Sequence, residues 1–132
     1  MKQGKITAAY NMIKELYRIK GAPFEIYVTL FQLKRDLQMY IECQGEQEEQ
    51  IAIEISGGMI ADGTYPMDQA QQAEFMRKLQ EIQKTEVKFD MKPVKIELTP
   101  DLAKLLGITG EVMDILYGFV DFVMKQEGGD PE

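Results

Sequence analysis

Residues 24–55 read FEIYVTLFQLKRDLQMYIECQGEQEEQIAIEI, and whether they form one helix or a helix followed by a strand decides the fold. Tyr27, Leu30, Phe31, Leu33, Leu37, Tyr40 and Ile41 recur at helical spacing, a stripe wide enough for a core-facing helix or one shared between copies. Gly45 weakens the pattern, but Glu46 to Gln50 are good helix formers and Ile51 and Ile55 extend the stripe, so the spacing predicts one long helix to about Ile55. The competing reading takes Ile51, Ile53 and Ile55, alternating with Ala52 and Glu54, as a half-buried strand.

Upstream, Ile6, Ala9, Tyr10, Ile13, Leu16 and Tyr17 mark one face of a helix from about Thr7 to Lys20, stopped by Gly21. Pro23 suits the first turn of the long helix, where its missing N–H would have had no intrahelical partner. Downstream, Ser56, Gly57 and Gly58 break the helix, and Ala61-Asp62-Gly63-Thr64 has tight-turn chemistry, with a short hairpin possible from Met59 to Met67. Asp68 with Gln71 resembles a capping box, opening a third helix through Phe75, Met76, Leu79 and Ile82 to about Lys84. From Thr85 the apolar period becomes two: Val87, Phe89 and Met91, then Val94, Ile96 and Leu98 after Pro93, predict two short strands or one bent edge strand. Thr99-Pro100-Asp101 starts a short helix that Gly107 ends, and Thr109 caps a last helix bearing Val112, Ile115, Leu116, Phe119, Val120 and Val123. The expectation is an α+β fold with helices dominant: a long antiparallel helical hairpin, a minor strand element between Glu86 and Leu98, and short C-terminal helices. At 132 residues it is read as a single domain over 1–127 with a frayed tail at 128–132.

Charge is unevenly distributed. From Asp36 to Met76 there is no Lys or Arg, while nine acids fall in that window: Asp36, Glu42, Glu46, Glu48, Glu49, Glu54, Asp62, Asp68 and Glu74. The net charge of −7 therefore resides in one stretch, since the remaining chain is nearly balanced. Such a stretch disfavours direct contact with a nucleic-acid backbone and suits a basic protein partner or a merely solvated surface. No run approaches the roughly 20 apolar residues that span a bilayer, and no leader sequence precedes the first amphipathic pattern, so a cytoplasmic protein without a membrane segment is expected.

Catalytic chemistry finds little foothold. Histidine is absent, which removes the commonest general base and zinc ligand, and the single Cys43 permits no intramolecular disulfide. Cys43 reads as a small packing residue on the long helix. Glu42 with Glu46, or Glu46 with Glu49, share a helix face at acid–base spacing, yet nothing apolar surrounds them in sequence to raise a carboxyl pKa. Asp62-Gly63 lacks the oxygen series of a calcium loop, and the Gly57-Gly58 stretch lacks a P-loop lysine. No catalytic, cofactor-binding or metal-binding residue is assigned. Met59, Met67, Met76, Met91 and Met113 are read as core packing rather than an adaptable contact surface.

Three stretches taken together, Gly21-Ala22-Pro23 leading into Leu33-Lys34-Arg35-Asp36-Leu37, Phe75 to Ile82, and Thr85 to Asp90 with Leu98-Thr99-Pro100-Asp101-Leu102, give an order of elements that resembles uncharacterised small proteins encoded by phages and prophages of Gram-positive bacteria. The long helix of those proteins is usually rich in Lys as well as Glu, whereas here Lys and Arg stop after Arg35. The resemblance implies a phage or prophage origin and a host cytosolic location, and it carries over no catalytic residue.

Two functions follow as expectations. The first is a non-enzymatic accessory protein, acting in virion assembly or counter-defence, that binds a basic protein through Glu42, Glu46, Glu48, Glu49 and Glu54. The second is a small-ligand-binding or sequestering protein with a pocket between subunits, lined by tyrosines and the few Lys and Arg of the helical stripes. A homo-oligomer, a dimer, is expected through Leu30, Phe31, Leu33 and Leu37, because a third helix of half the length cannot cover the long helix's stripe.

Overall fold

A computed structural model describes residues 1–58 and 63–125. It is predominantly helical with a small two-stranded parallel sheet, an α+β arrangement. The elements are α1 (Gln3–Arg18), α2 (Phe24–Ser56), α3 (Gln69–Lys84), β1 (Val94–Leu98), α4 (Pro100–Leu106), α5 (Gly110–Leu116) and β2 (Val120–Met124). The chain packs as two compact units, one of residues 1–6 and 39–88, the other of residues 7–38 and 89–132.

Residues 24–55 are helical throughout, so the strand reading of Ile51–Ile55 is overturned. Ala52 is buried while Ile53 is exposed, a burial order that follows helical turns and not alternation. The helix α1 begins earlier than its apolar pattern suggests, at Gln3, and ends at Arg18, with Gly21 beyond it at φ +99°.

In the unit of residues 1–6 and 39–88, a single antiparallel bridge joins Lys2 to Glu86, flanked by the Gln3 N–H donating to the Thr85 carbonyl at 2.9 Å. Beyond that bridge residues 86–91 take no strand structure, so the strand expected over Val87, Phe89 and Met91 is absent. Asp68 and Gln71 form a complete reciprocal capping box at the start of α3, which ends at Lys84 as the sequence predicts. The turn expected over Ala61–Thr64 lies partly outside the described residues, as does the first half of the Met59–Met67 hairpin; residues 64–67 are not strand. The tail at 128–132 also lies outside them.

In the unit of residues 7–38 and 89–132, Ile13, Leu16, Leu30, Leu33, Leu37, Leu98, Leu116 and Phe119 are essentially inaccessible to solvent and form the core. Each such side chain contributes roughly 1.5–3 kcal/mol by leaving water. Tyr27 holds the turn before α2: its hydroxyl donates to the Ile19 carbonyl at 2.5 Å and accepts from the Ala22 N–H at 3.1 Å. Tyr17 meets the Tyr27 ring edge-on at 6.1 Å. Thr99 and Thr109 cap α4 and α5 by accepting from the N–H groups of Leu102 and Val112, and Gly107 ends α4 in the left-handed conformation.

The largest departure from the sequence reading is at the last helix. It stops at Leu116, and Val120–Met124 is a strand parallel to β1, with Val94 paired to Val120 and Leu98 to Met124. Gly118, at φ +89°, turns the chain out of the helix, and the β-branched and aromatic residues that follow it favour an extended backbone. Phe119 and Val120 are buried all the same, the Phe119 ring packing edge-on against Phe89 at 5.1 Å.

Candidate functional site

Within α2, residues 39–56 belong to the unit that also contains α3. Met39, Glu42, Glu46, Glu49 and Ile53 are separated by three, four, three and four residues, which puts them in line along one face of the helix. All five are exposed, Met39 at 73% and Ile53 at 40%. The result is a ridge of three carboxylates bracketed by two apolar side chains, a combination suited to a partner surface that is basic with apolar edges. Glu54 is exposed on the flank of the ridge.

Glu48 is the exception among the five predicted acids. It lies on the opposite side of the helix, half-buried, and accepts a 2.8 Å hydrogen bond from the Gln44 side-chain amide. Gln44 in turn accepts from the Gln3 amide at 3.0 Å, and Gln3 also reaches the Tyr40 carbonyl at 3.4 Å. Gln3 and Gln44 are the only buried polar residues among those described, and this chain of amides ending on Glu48 satisfies them. Sequence reasoning singled out neither glutamine, because Gln44 looks like an ordinary helix former and Gln3 stands before the expected start of α1. Their positions on the inward side of each helix are the only signal that could have found them.

Glu49 accepts a 3.0 Å hydrogen bond from the Tyr65 hydroxyl. That bond, with a smaller desolvation effect and the carboxylate's charge behind it, raises the Tyr65 pKa above the usual tyrosine value. Neither Glu46 nor Glu54 lies within ion-pair distance of a base among the described residues, whereas Arg77 spans Glu74 and Glu81 on α3.

Several other expectations drawn from the sequence change. Cys43 is exposed rather than packed, because it falls beside the ridge and not on the inward stripe. Met76 and Met113 are exposed instead of core. Leu30, Leu33 and Leu37 are fully buried in the chain's own core, which takes them out of any interface between copies; of that group only Phe31, 42% exposed, reaches the surface.

Two clefts stand out among the described residues. One of about 400 Å³ lies in the unit of residues 7–38 and 89–132, between the start of α2 and β1, with Lys95, Lys125, Glu25 and Glu97 around an apolar floor of Ile26 and Leu102. It contains no tyrosine. The other, of about 220 Å³, lies in the unit of residues 1–6 and 39–88 beside Tyr40, Cys43 and Gln44 and contains no Lys or Arg. Among the described residues no group of three or more His, Cys, Asp or Glu is placed to hold a metal ion, and no described helix is long and apolar enough to cross a membrane. No protein-family model, curated protein or solved structure matches the chain.

Proposed function

We propose that this is a non-enzymatic accessory protein, of phage or prophage origin, that works by binding a basic protein surface through the exposed ridge of α2. The observation that carries the proposal is the alignment of Glu42, Glu46 and Glu49 between exposed Met39 and Ile53, on a helix stretch with no Lys or Arg. A charge excess held only for solubility has no need of one helix face, nor of large apolar residues at both ends of it. The ridge supplies electrostatic attraction at long range, and the apolar ends supply area that becomes dry on contact. Glu54 contributes to the field from the flank, while Glu48 belongs to the interior network and is dropped from the binding set.

An antiparallel pairing of α3 with this part of α2 belongs to the same reading. It is supported by the Gln71 side-chain amide donating to the Ile55 carbonyl at 2.8 Å and by the Tyr65 contact with Glu49. Such a pairing would brace α2 as a stiff edge, lowering the ordering cost of association.

The test is the association rate between this protein and a partner recovered by affinity capture, measured as ionic strength rises. Association should slow steeply as the screening length shortens from about 30 Å at 0.01 M salt to about 8 Å at 0.15 M, with a much smaller change in dissociation. An association rate indifferent to salt would contradict binding through the ridge.

A further inference from the structure

The two strands of the small sheet differ in what their outer edges offer. The Val94 N–H donates to the Phe119 carbonyl at 3.0 Å, and the Lys125 N–H donates to the Leu98 carbonyl at 2.6 Å. Along a strand the N–H and C=O of one residue point to the same side, and the side alternates residue by residue. With Val94 paired to Val120 and Leu98 to Met124, β1 therefore turns Val94, Ile96 and Leu98 toward β2, and β2 turns Asp121, Val123 and Lys125 toward β1. The main-chain groups of Val120, Phe122 and Met124 face away from the sheet, and among the described residues no hydrogen bond engages them.

The outer edge of β1 presents Lys95 and Glu97, two exposed charges in loose contact at 3.9 Å, the usual guard against strand addition. β2 has no such pair along its length: Asp121 is the one charge within it, Lys125 follows directly after it, and Val123 is 39% and Met124 55% exposed. An open edge of this kind is a template for one more extended strand.

We infer that the occupant is β2 of a second copy, added antiparallel across a two-fold axis at Val123. Outward-facing main-chain groups can meet only if the axis passes through a residue and not between residues, and an overlap of at least three β2 residues leaves Asp121, Phe122 and Val123 as centres. An axis at Asp121 sets that carboxylate against its own copy at the closest approach, about 4.5 Å between Cα atoms. With the axis at Phe122, Asp121 lies opposite the partner's Val123, with no charge to meet it. Only the axis at Val123 sets Asp121 opposite the partner's Lys125, and symmetry makes that pair twice. The same register puts Phe122 opposite the partner's Met124 in the hydrogen-bonded positions and Val123 opposite its own copy, covering the exposed apolar side chains. The sheet becomes four-stranded, with the charged edges of β1 outermost. This contact is independent of the acidic ridge and uses none of its residues.

Sedimentation equilibrium on the full chain tests it, using the native protein, Met124→Pro, Asp121→Lys and the charge swap Asp121→Lys with Lys125→Asp. Proline at 124 removes an outward N–H that β1 does not use. The native chain should form a reversible dimer of twice 15.1 kDa. Met124→Pro should abolish it, Asp121→Lys should weaken it about tenfold, and the swap should restore it to within about threefold. Should circular dichroism find that the proline variant has lost its helices, the charge variants alone decide. A native chain that stays at 15.1 kDa up to millimolar concentration overturns the inference. So does a dimer whose affinity Asp121→Lys leaves unchanged.

Discussion

The side-chain amide of Gln3 donates to the side-chain oxygen of Gln44 at 3.0 Å, and both residues are more than nine-tenths buried. A buried amide is tolerated only while it is paired, so the two glutamines should behave as a unit. Gln44→Ala removes the closer of the two acceptors described for the Gln3 amide, leaving it the Tyr40 carbonyl at 3.4 Å, and should cost about 1–3 kcal/mol. The double variant Gln3→Met with Gln44→Met removes both polar groups at similar volume and should recover most of that loss. Urea denaturation of the three chains, compared at equal slope, is the check.

Thr99 accepts from the Leu102 N–H at 3.1 Å and thereby starts α4 directly after β1. Thr99→Ala should destabilise the protein by about 1 kcal/mol, whereas Thr99→Ser keeps the hydroxyl and should stay within a few tenths of the native value. Thermal unfolding followed by circular dichroism distinguishes the two.

Gly118 stands at φ +89°, where a side chain strains the backbone. Gly118→Ala should cost about 1–2 kcal/mol and should act mainly on β2, so amide exchange ought to quicken first at Val120 to Met124. Uniform loss of protection through the protein would mean that the glycine does not govern this turn.

The Tyr65 hydroxyl donates to Glu49, and its pKa lies above the usual tyrosine value near 10. A proton held more tightly in the folded state stabilises that state below the unfolded pKa, and the contribution is lost as pH climbs through the raised folded value. Titration by phenolate absorbance should find one tyrosine ionising late, and Glu49→Gln should return it toward the ordinary range. An unchanged titration in that variant would remove Glu49 as the cause.

Local chemistry was legible in the sequence wherever one residue determines one backbone feature. The capping box at Asp68 and Gln71, the threonine caps at 99 and 109, and the stop at Gly107 all follow from side chains reaching groups within a few positions. The strand β2 was hidden because Val112, Ile115, Leu116, Phe119, Val120 and Val123 fit helical spacing as a list. The decisive residue, Gly118, interrupts that list without altering its period. Likewise Val87, Phe89 and Met91 alternate as a strand would, yet a ladder needs a neighbouring strand, and periodicity alone does not provide one. The acids of the ridge could be counted from the sequence, but their sorting into an outward line and an inward Glu48 depends on helix phase through Gly45, which held only once residues 24–56 proved continuous.

The acidic ridge is tested most directly by affinity capture from bacterial cells at low salt, comparing the native chain with two variants of equal charge change. One carries Gln at Glu42, Glu46 and Glu49; the other carries Gln at Glu15, Glu86 and Glu111, exposed acids outside the ridge. The ridge variant should lose a partner that the native chain and the control both retain, with recovery reduced about tenfold or more. Equal recovery of the same proteins by all three chains would contradict the account, because net charge alone, and not its alignment on α2, would then govern what this protein binds.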